Sequence, residues 1–156
     1  MFRDVKRIKQ KLSNDECNSI LENEVRGVLS LIGDDDYPYG VPINYFYDRN
    51  SNKIYFHSGK SGHKMDAISK NNKASFCVYD KGFRKEGQWS LNIKSVIVFG
   101  KIKQIESWSR DMMVEFCKKF TDDMDYINKE IENYSFETAV LELTIEHMTG
   151  KIINEA

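Results

Sequence analysis

The sequence predicts a mainly β protein in which an antiparallel barrel carries helices on its outside. Three observations lead to this prediction. Short segments with alternating apolar and polar residues recur along the chain, as expected for half-buried strands. Turns rich in Gly, Asn and Asp separate most of these segments, which is typical of sequential antiparallel strands. Helical patterns occur only at the start, in one crossover and before the final strand, an order that disfavours an alternating parallel α/β sheet.

The first part of the chain predicts a helix followed by a hairpin. SNDE, at residues 13–16, forms a capping box and predicts a helix from about Ser13 to Glu24. RGVLSLIG and VPINYFYD are predicted strands, and DDDYPYG is the turn between them. The turn DRNSNK then leads into a short strand, IYFH. Pro42 in VPINYFYD cannot donate a ladder hydrogen bond, which indicates a strand edge where a flat aromatic ligand could approach the backbone.

A crossover helix and two more strands follow. HKMDAISKNN predicts a short helix with Met65 and Ile68 on one face. KASFCVYD is a predicted strand and KGFRKEGQWSLN a loop. IKSVIVFGKIKQIE is a long strand whose central Gly100 indicates a bulge or bend, as required where a sheet curls into a barrel. Closure of that barrel would remove exposed strand edges.

The last part of the chain predicts two helices and a closing strand. Trp108, Met112, Phe116 and Phe120 recur every four residues, which predicts a helix beginning near Ser107 that lays an apolar stripe on the sheet. TDDMDYINKEIENY predicts a polar, acidic surface helix. TAVLELTIEHMTGK alternates aliphatic residues with Glu and Thr, the clearest strand pattern in the chain.

Composition excludes several classes of function. The 156 residues fit one domain, residues 1–156. A net charge of -1 provides no long-range attraction to nucleic acid. The longest aliphatic run is VIVF, whereas a membrane span needs about 20 apolar residues. The N-terminus has no apolar targeting core. We therefore expect a cytoplasmic protein that binds neither nucleic acid nor a membrane.

The stretch YFHSGKSGHKM, at residues 55–65, concentrates groups that bind phosphate. Its glycines permit close backbone approach, its serines provide hydroxyls, and its lysines and second histidine provide positive charge. A helix beginning near His63 would add its N-terminal dipole. An ordinary basic hairpin loop is the alternative. The residues concerned are Ser58, Gly59, Lys60, Ser61, Gly62, His63 and Lys64.

The other phosphate and metal motifs do not fit this stretch. A P-loop needs Gly five residues before the Gly of GKS, where this chain has Ile54, and no GxGxxG follows a strand. His57 and His63 lack a third and fourth ligand at suitable spacing, and the three cysteines are scattered. We predict no metal site.

The order GVPINYFYD, IYFHSGKSGHKMDAI, ASFCVYD, SVIVFGKI and TGK resembles the FMN-binding split-barrel proteins related to pyridoxamine 5′-phosphate oxidase. It is most similar to their nitroimidazole-resistance (Nim-type) branch, over about Ser13 to Ile153. The resemblance implies an antiparallel split β-barrel with flanking helices. It also implies FMN as the cofactor, held at the subunit interface of a homodimer.

The resemblance further implies the residues that bind the cofactor. The flavin ring would lie along residues 41–45, whose main-chain groups reach its polar edge. The phosphate would be held at the exit of the IYFH strand and at the start of the next helix. The long strand, from the neighbouring subunit or the same barrel, would touch the flavin at SVIVFG. These residues are Val41, Pro42, Ile43, Asn44, Tyr45, His57, Ser58, Ser61, His63, Lys64, Ser95 and Val96.

Two departures from the oxidase pattern affect the expected function. In the oxidase proper, the phosphate-binding segment looks like Ser followed by Arg-Lys. The similar segment of this chain has Ser61, an inserted Gly62, and then His63-Lys64. A titratable cation thus replaces a permanent one, and FMN affinity is expected to fall above the pKa of His63 if that residue is charged in the complex. The oxidase's basic C-terminal substrate segment has no counterpart in EHMTGKIINEA. This difference argues against oxidation of vitamin B6 phosphate.

Two functions follow as hypotheses. The first is an FMN-dependent oxidoreductase that reduces small electron acceptors such as nitro compounds, using a small-molecule electron donor. Flavin supplies the redox chemistry itself, which agrees with a sequence that contains no acid–base pair or nucleophile triad. Tyr45, His57 and Trp89 are candidate substrate-side groups, and no catalytic residue is assigned. The second is a non-catalytic flavin or haem binding or sensor protein of the same fold.

Overall fold

The computed structural model describes residues 1–134 and 138–155, which form six antiparallel strands closed into a barrel. Around the barrel the order is β1-β2-β3-β6-β5-β4, with β4 returning to β1. The predicted antiparallel barrel is confirmed. The strands are β1 (Arg26–Ile32), β2 (Pro38–Asp48), β3 (Lys53–Gly59), β4 (Lys73–Tyr79), β5 (Leu91–Ile105) and β6 (Thr138–Glu155).

Four α-helices flank the barrel in the described ranges. The predicted capping box is present, because the Ser13 hydroxyl accepts from the Glu16 N–H at 3.2 Å and the Glu16 carboxylate accepts from the Ser13 N–H at 2.9 Å. None of the described helices is long and apolar enough to span a membrane. The helices are α1 (Asn14–Asn23), α2 (His63–Lys70), α3 (Arg110–Lys118) and α4 (Met124–Glu132).

The inside of the barrel is a packed core closed at one end by α1. Tyr45, Phe56 and Phe76 are fully buried there, with edge-to-face ring contacts of 4.9 and 5.0 Å. The Tyr45 hydroxyl donates to the carbonyl of Leu21 in α1 at 2.8 Å. A Cβ at Gly150 would lie 2.5 Å from the Cys17 sulfur, so α1 lies directly on β6. A ligand must therefore bind on the outside of the barrel.

The bulge predicted at Gly100 is confirmed. The register of β5 against β6 shifts between Phe99 and Gly100. A Cβ at Gly100 would overlap the carbonyl oxygen of Thr144 on β6. Glycine at this position thus lets the two longest strands approach closely where the sheet bends.

β2 and β5 begin earlier than predicted. β2 begins at Pro38 because its ladder with β1 continues to Ile32, which reduces the predicted turn to a short 3₁₀ turn at Asp34–Asp36. β5 begins at Leu91, inside the predicted loop. The backbones of Phe83 and Asn92 pair there at 2.8 and 2.9 Å and extend the strand.

The helix predicted near Ser107 begins three residues later. Its N-cap is Ser109, whose hydroxyl accepts from the Met112 N–H at 3.3 Å. Trp108 precedes the helix and packs against Tyr55 and Val140 on the outer face of β3 and β6. Met112 and Phe116 of the predicted stripe pack against these residues, whereas Phe120 lies beyond the helix and is 47% exposed. The acidic surface helix is present as α4, with Ile127 buried.

Covering this outer face changes the environment of β6. Glu142, a polar residue of the alternating β6 pattern, is only 7% exposed. Its carboxylate lies 3.1 Å from the Lys53 ammonium and 3.5 Å from that of Lys103. The two lysines on the neighbouring strands compensate the buried charge, and they lower the pKa of Glu142 although burial opposes this.

We expect Gly100→Ala to destabilise the protein by about 1 to 3 kcal/mol. The added methyl group would meet the Thr144 backbone, which cannot move aside as a flexible side chain can. Gly40→Ala is the matched control, since its Cβ would make an ordinary contact at 3.4 Å with Val28. Urea unfolding of both variants measures the difference in the free energy of unfolding. Equal stabilities would show that β5 and β6 can separate at the bulge without cost.

Candidate functional site

β2 and β3 separate after a short ladder, which produces the split of the barrel. The ladder joins residues 45–48 of β2 to residues 53–56 of β3. Over residues 38–44, β2 pairs with β1 on one edge, and no strand in the described part of the chain pairs with the other edge. β3 instead continues along β6 to Gly59. The main chain of residues 41–44 therefore borders an opening.

A groove of about 410 Å³ lies at this opening. It joins three of the residues predicted to lie along the flavin ring with His57, predicted at the phosphate end of the site. No pattern in the sequence indicated Arg26, whose Nε donates to the Asn44 side-chain oxygen at 2.9 Å. The groove is lined by Arg26, Pro42, Ile43, Asn44, His57 and Phe116.

The start of α2 forms a second wall beside the open part of β2, because the His63 ring stacks on that of Tyr39. Its N-cap, Gly62, has a φ of 109°, a conformation that favours glycine, and no side chain caps the helix. The N–H groups of Met65 and Asp66 bond to the Gly62 carbonyl. The N–H groups of His63 and Lys64 have no partner among the described residues. These donors and the helix dipole favour an anion at this end of α2.

Lys64 and His57 supply the electrostatics of this wall. Lys64 is half-buried, and it makes no ion pair with the residues that the structure describes. Burial lowers its pKa. Burial also lowers the pKa of His57, and the charge of Lys64 lowers it further. The site thus contains an uncompensated ammonium beside an imidazole that stays neutral at neutral pH.

His63 faces the turn between β1 and β2. Its ring stacks on Tyr39 with 4.0 Å between centroids, and its Nε2 lies 3.8 Å from a carboxylate oxygen of Asp34. Asp34 also pairs with Lys70 at 2.9 Å. The imidazole therefore already has an acidic partner, and its contact with a phosphate remains a prediction.

Ser58 and Ser61 differ in accessibility. Ser58 is 8% exposed, and its hydroxyl donates to the Gly59 carbonyl at 3.1 Å. Ser61 is exposed on the loop that leads into α2. Of the two predicted hydroxyls, that of Ser61 is the freer to meet a ligand.

Some predicted residues point into the barrel core. The Tyr45 and Val96 side chains are fully buried, and Ile43 is 9% exposed. The prediction that Tyr45 is a substrate-side group is wrong, because its ring lies inside the barrel and its hydroxyl bonds to α1. Its carbonyl accepts from the Lys119 ammonium at 3.2 Å. Residues such as these can meet a ligand only through their main chain.

Ser95 lies on the outer face of the barrel, away from the groove. β5 is the third strand from β2 around the barrel, because the register aligns Pro42, Val28, Cys77 and Ile97 across β2, β1, β4 and β5. Ser95 lies two residues from Ile97 on β5. Three strand spacings therefore separate the strand of Ser95 from Pro42, which amounts to about 14 Å along the sheet. Ser95 lines a separate groove of about 520 Å³ whose basic residues are Arg3, Lys6, Arg7 and Lys151. The candidate Trp89 is 77% exposed in the loop before β5.

Solved structures share this fold. A candidate 5-nitroimidazole antibiotic resistance protein from Bacteroides thetaiotaomicron is 20% identical, with a TM-score of 0.74 over 93% of this chain and 87% of that one. An FAD-binding protein from Mesorhizobium loti is 21% identical, with a TM-score of 0.64 over 92% and 97%. A flavocytochrome from Azotobacter vinelandii is 19% identical, with a TM-score of 0.67 over 96% and 72%.

The match to a family model identifies the family. No curated protein matched the chain. A family model described as pyridoxamine 5′-phosphate oxidase matches residues 13–152, nearly the range over which the resemblance was seen in the sequence. Because this match covers most of the chain and the barrel is split between β2 and β3, the chain belongs to the pyridoxamine 5′-phosphate oxidase family.

Proposed function

We propose that the protein binds FMN at the opening between β2 and β3 and reduces small electron acceptors, such as nitro compounds. One observation carries this proposal. The unpaired edge of β2 lies on one side of the opening, and the free N–H groups of α2 with Lys64 lie on the other. A planar ring with hydrogen-bonding groups along one edge fits the first wall, and a phosphate fits the second.

The names of similar structures support a flavin as the ligand. One is called an FAD-binding protein and another a flavocytochrome. A bound flavin would supply the hydride or electron transfer, so that the protein has to bind and orient the ring. In this proposal residues 41–44 contact the ring through their main chain, and Arg26 fixes the Asn44 amide by its 2.9 Å hydrogen bond. The neutral His57 can exchange a hydrogen bond without adding charge.

The proposal includes a homodimer. Ile97 and Phe99 on the outer face of β5 are 37% and 38% exposed, which is unusual for large apolar side chains on adjacent outward positions. A second copy packed on this face would cover them and could bring its Ser95 to the flavin. The Ser95 of the same barrel lies on a strand about 14 Å from β2.

We expect Ile97→Lys to yield monomers, because a lysine at this contact would bury an unpaired charge. Sedimentation equilibrium measures the mass, which for the unchanged protein should be twice the 18.2 kDa of one chain. Lys101→Ala, on an exposed position further along β5, is the control and should leave the mass unchanged. An unchanged protein that sediments as a single chain would exclude the dimer.

We expect Lys64→Ala to weaken FMN binding tenfold or more, since a charge-assisted hydrogen bond contributes about 1.5 to 3 kcal/mol. Lys60→Ala is the control, because Lys60 is exposed on the same loop. Quenching of flavin fluorescence measures both affinities. Equal losses in the two variants would mean that only the general positive charge of the loop matters.

The pH dependence of FMN binding tests the charge of Lys64. Affinity should fall as Lys64 loses its proton, and the fall should begin below the range in which an ordinary lysine does so, because burial lowers the pKa of this side chain. The fall should be absent in Lys64→Ala. A profile that is flat up to strongly alkaline pH would remove Lys64 from the phosphate site.

Turnover distinguishes the reductase from a flavin or haem carrier. We expect the yellow protein to bleach on anaerobic addition of NADH or NADPH and to recover its flavin spectrum on addition of a nitroaromatic compound. His57→Asn keeps a hydrogen-bonding side chain and should retain FMN while it changes the rate of recovery. A protein that holds FMN through both additions without any spectral change would favour a carrier, and a Soret band in the purified protein would identify haem.

A further inference from the structure

A second cleft, of about 250 Å³, lies between the outer face of β3 and the helices α3 and α4. His57 and Phe116 line both this cleft and the groove at the opening, so the two spaces adjoin. The remaining lining is mostly aromatic, aliphatic or sulfur-containing. It includes Trp108, Met113, Cys117, Phe120, Ile131 and Tyr134.

Two hydrogen-bond donors in this cleft are buried without a partner. Trp108 is only 5% exposed, and its Nε1–H meets no acceptor among the described residues. The same is true of the hydroxyl of Tyr134. Buried polar groups are almost always paired in folded proteins, because an unpaired one loses its bonds to water. Two such donors in one cleft indicate a ligand that supplies the missing acceptors.

The shape and charge of the cleft restrict that ligand. Phe116 meets Trp108 edge to face at 4.9 Å, and the Tyr134 and His57 rings lie 5.6 Å apart, so the walls are rigid ring surfaces. Glu130 also lines the cleft, and no lysine or arginine does. A negatively charged ligand would therefore be disfavoured. A flat, uncharged ring with acceptor oxygens satisfies both donors.

We propose that this cleft is the substrate site, where an uncharged aromatic electron acceptor binds with its nitro or carbonyl oxygens on Trp108 Nε1 and the Tyr134 hydroxyl. The inference rests on the proposed function, because the shared residues His57 and Phe116 place the cleft beside the flavin groove. It adds the position and the chemical class of the acceptor.

Fluorescence of flavin-free protein tests the site directly. The chain has two tryptophans, so Trp89→Phe leaves Trp108 as the single reporter. We expect 1,4-dinitrobenzene to quench this fluorescence to saturation, and 4-nitrobenzoate to do so at least tenfold less tightly because of its charge. Quenching that rises linearly without saturation for both compounds would overturn the proposal.

A pair of tyrosine variants in the Trp89→Phe background tests the donor. Tyr134→Phe should weaken dinitrobenzene binding about tenfold while leaving thermal stability equal or higher, because the hydroxyl has no partner to lose. Tyr126→Phe is the control, since Tyr126 lines the same cleft but is 55% exposed. A Tyr134→Phe variant that is destabilised but binds normally would show a purely structural role and overturn the proposal.

Flavin binding is measured separately, so the two proposals can fail independently. Saturable dinitrobenzene binding by a protein that takes up no FMN would refute the proposed function and retain the cleft as a ligand site. Tight FMN binding without saturable dinitrobenzene binding, tested in the flavin-loaded protein as well, would refute this inference alone.

Discussion

The early end of the ladder between β2 and β3 is the constraint on which the site depends. Each strand has another partner, since β2 pairs with β1 and β3 pairs with β6. The two strands therefore stop pairing with each other after Tyr45 and Phe56. α2 occupies the space between them and buries Ala67 and Ile68 in the barrel core. An exposed strand edge and a free helix N-terminus are each costly to leave uncovered in a folded protein. Here the two occur side by side, where one ligand can satisfy both.

The filled core explains why all the recognition groups lie outside the barrel. Tyr45 connects the core to the helical segment, because its ring packs in the core while its carbonyl accepts from the Lys119 ammonium. Burial of Lys119 lowers its pKa to about 8, and its ammonium lies 4.0 Å from the centre of the Tyr45 ring. β2 is therefore fixed at Tyr45, next to residues 41–44. A strand that is held in this way presents its main chain to a ligand with little loss of conformational entropy on binding.

The sequence predicted the fold well because its signals were local. The capping box at Ser13, the bulge at Gly100 and the closing strand β6 were each predicted from neighbouring residues, and all three are confirmed. What the sequence did not reveal are surroundings that come from distant parts of the chain. Glu142 lies beside Tyr55, Lys53 and Lys103 of the neighbouring strands, and the Tyr45 ring points inward because of the register of the barrel. Arg26 and Tyr134 carry no local pattern, since their positions beside Asn44 and His57 exist only after folding.

The helices α3 and α4 are inserted between two strands that remain neighbours. Ile105 at the end of β5 pairs with Val140 near the start of β6, so the barrel would close in the same way around a simple hairpin. The insertion contributes one wall of the 250 Å³ cleft, whereas the pairing of β5 with β6 closes the barrel. Substitutions of the cleft-lining residues on α4 can therefore change the cleft without altering that pairing. Such an arrangement lets the lining of the cleft vary while the opening between β2 and β3 stays unchanged, and it makes the segment a natural target for exchange between relatives in protein engineering.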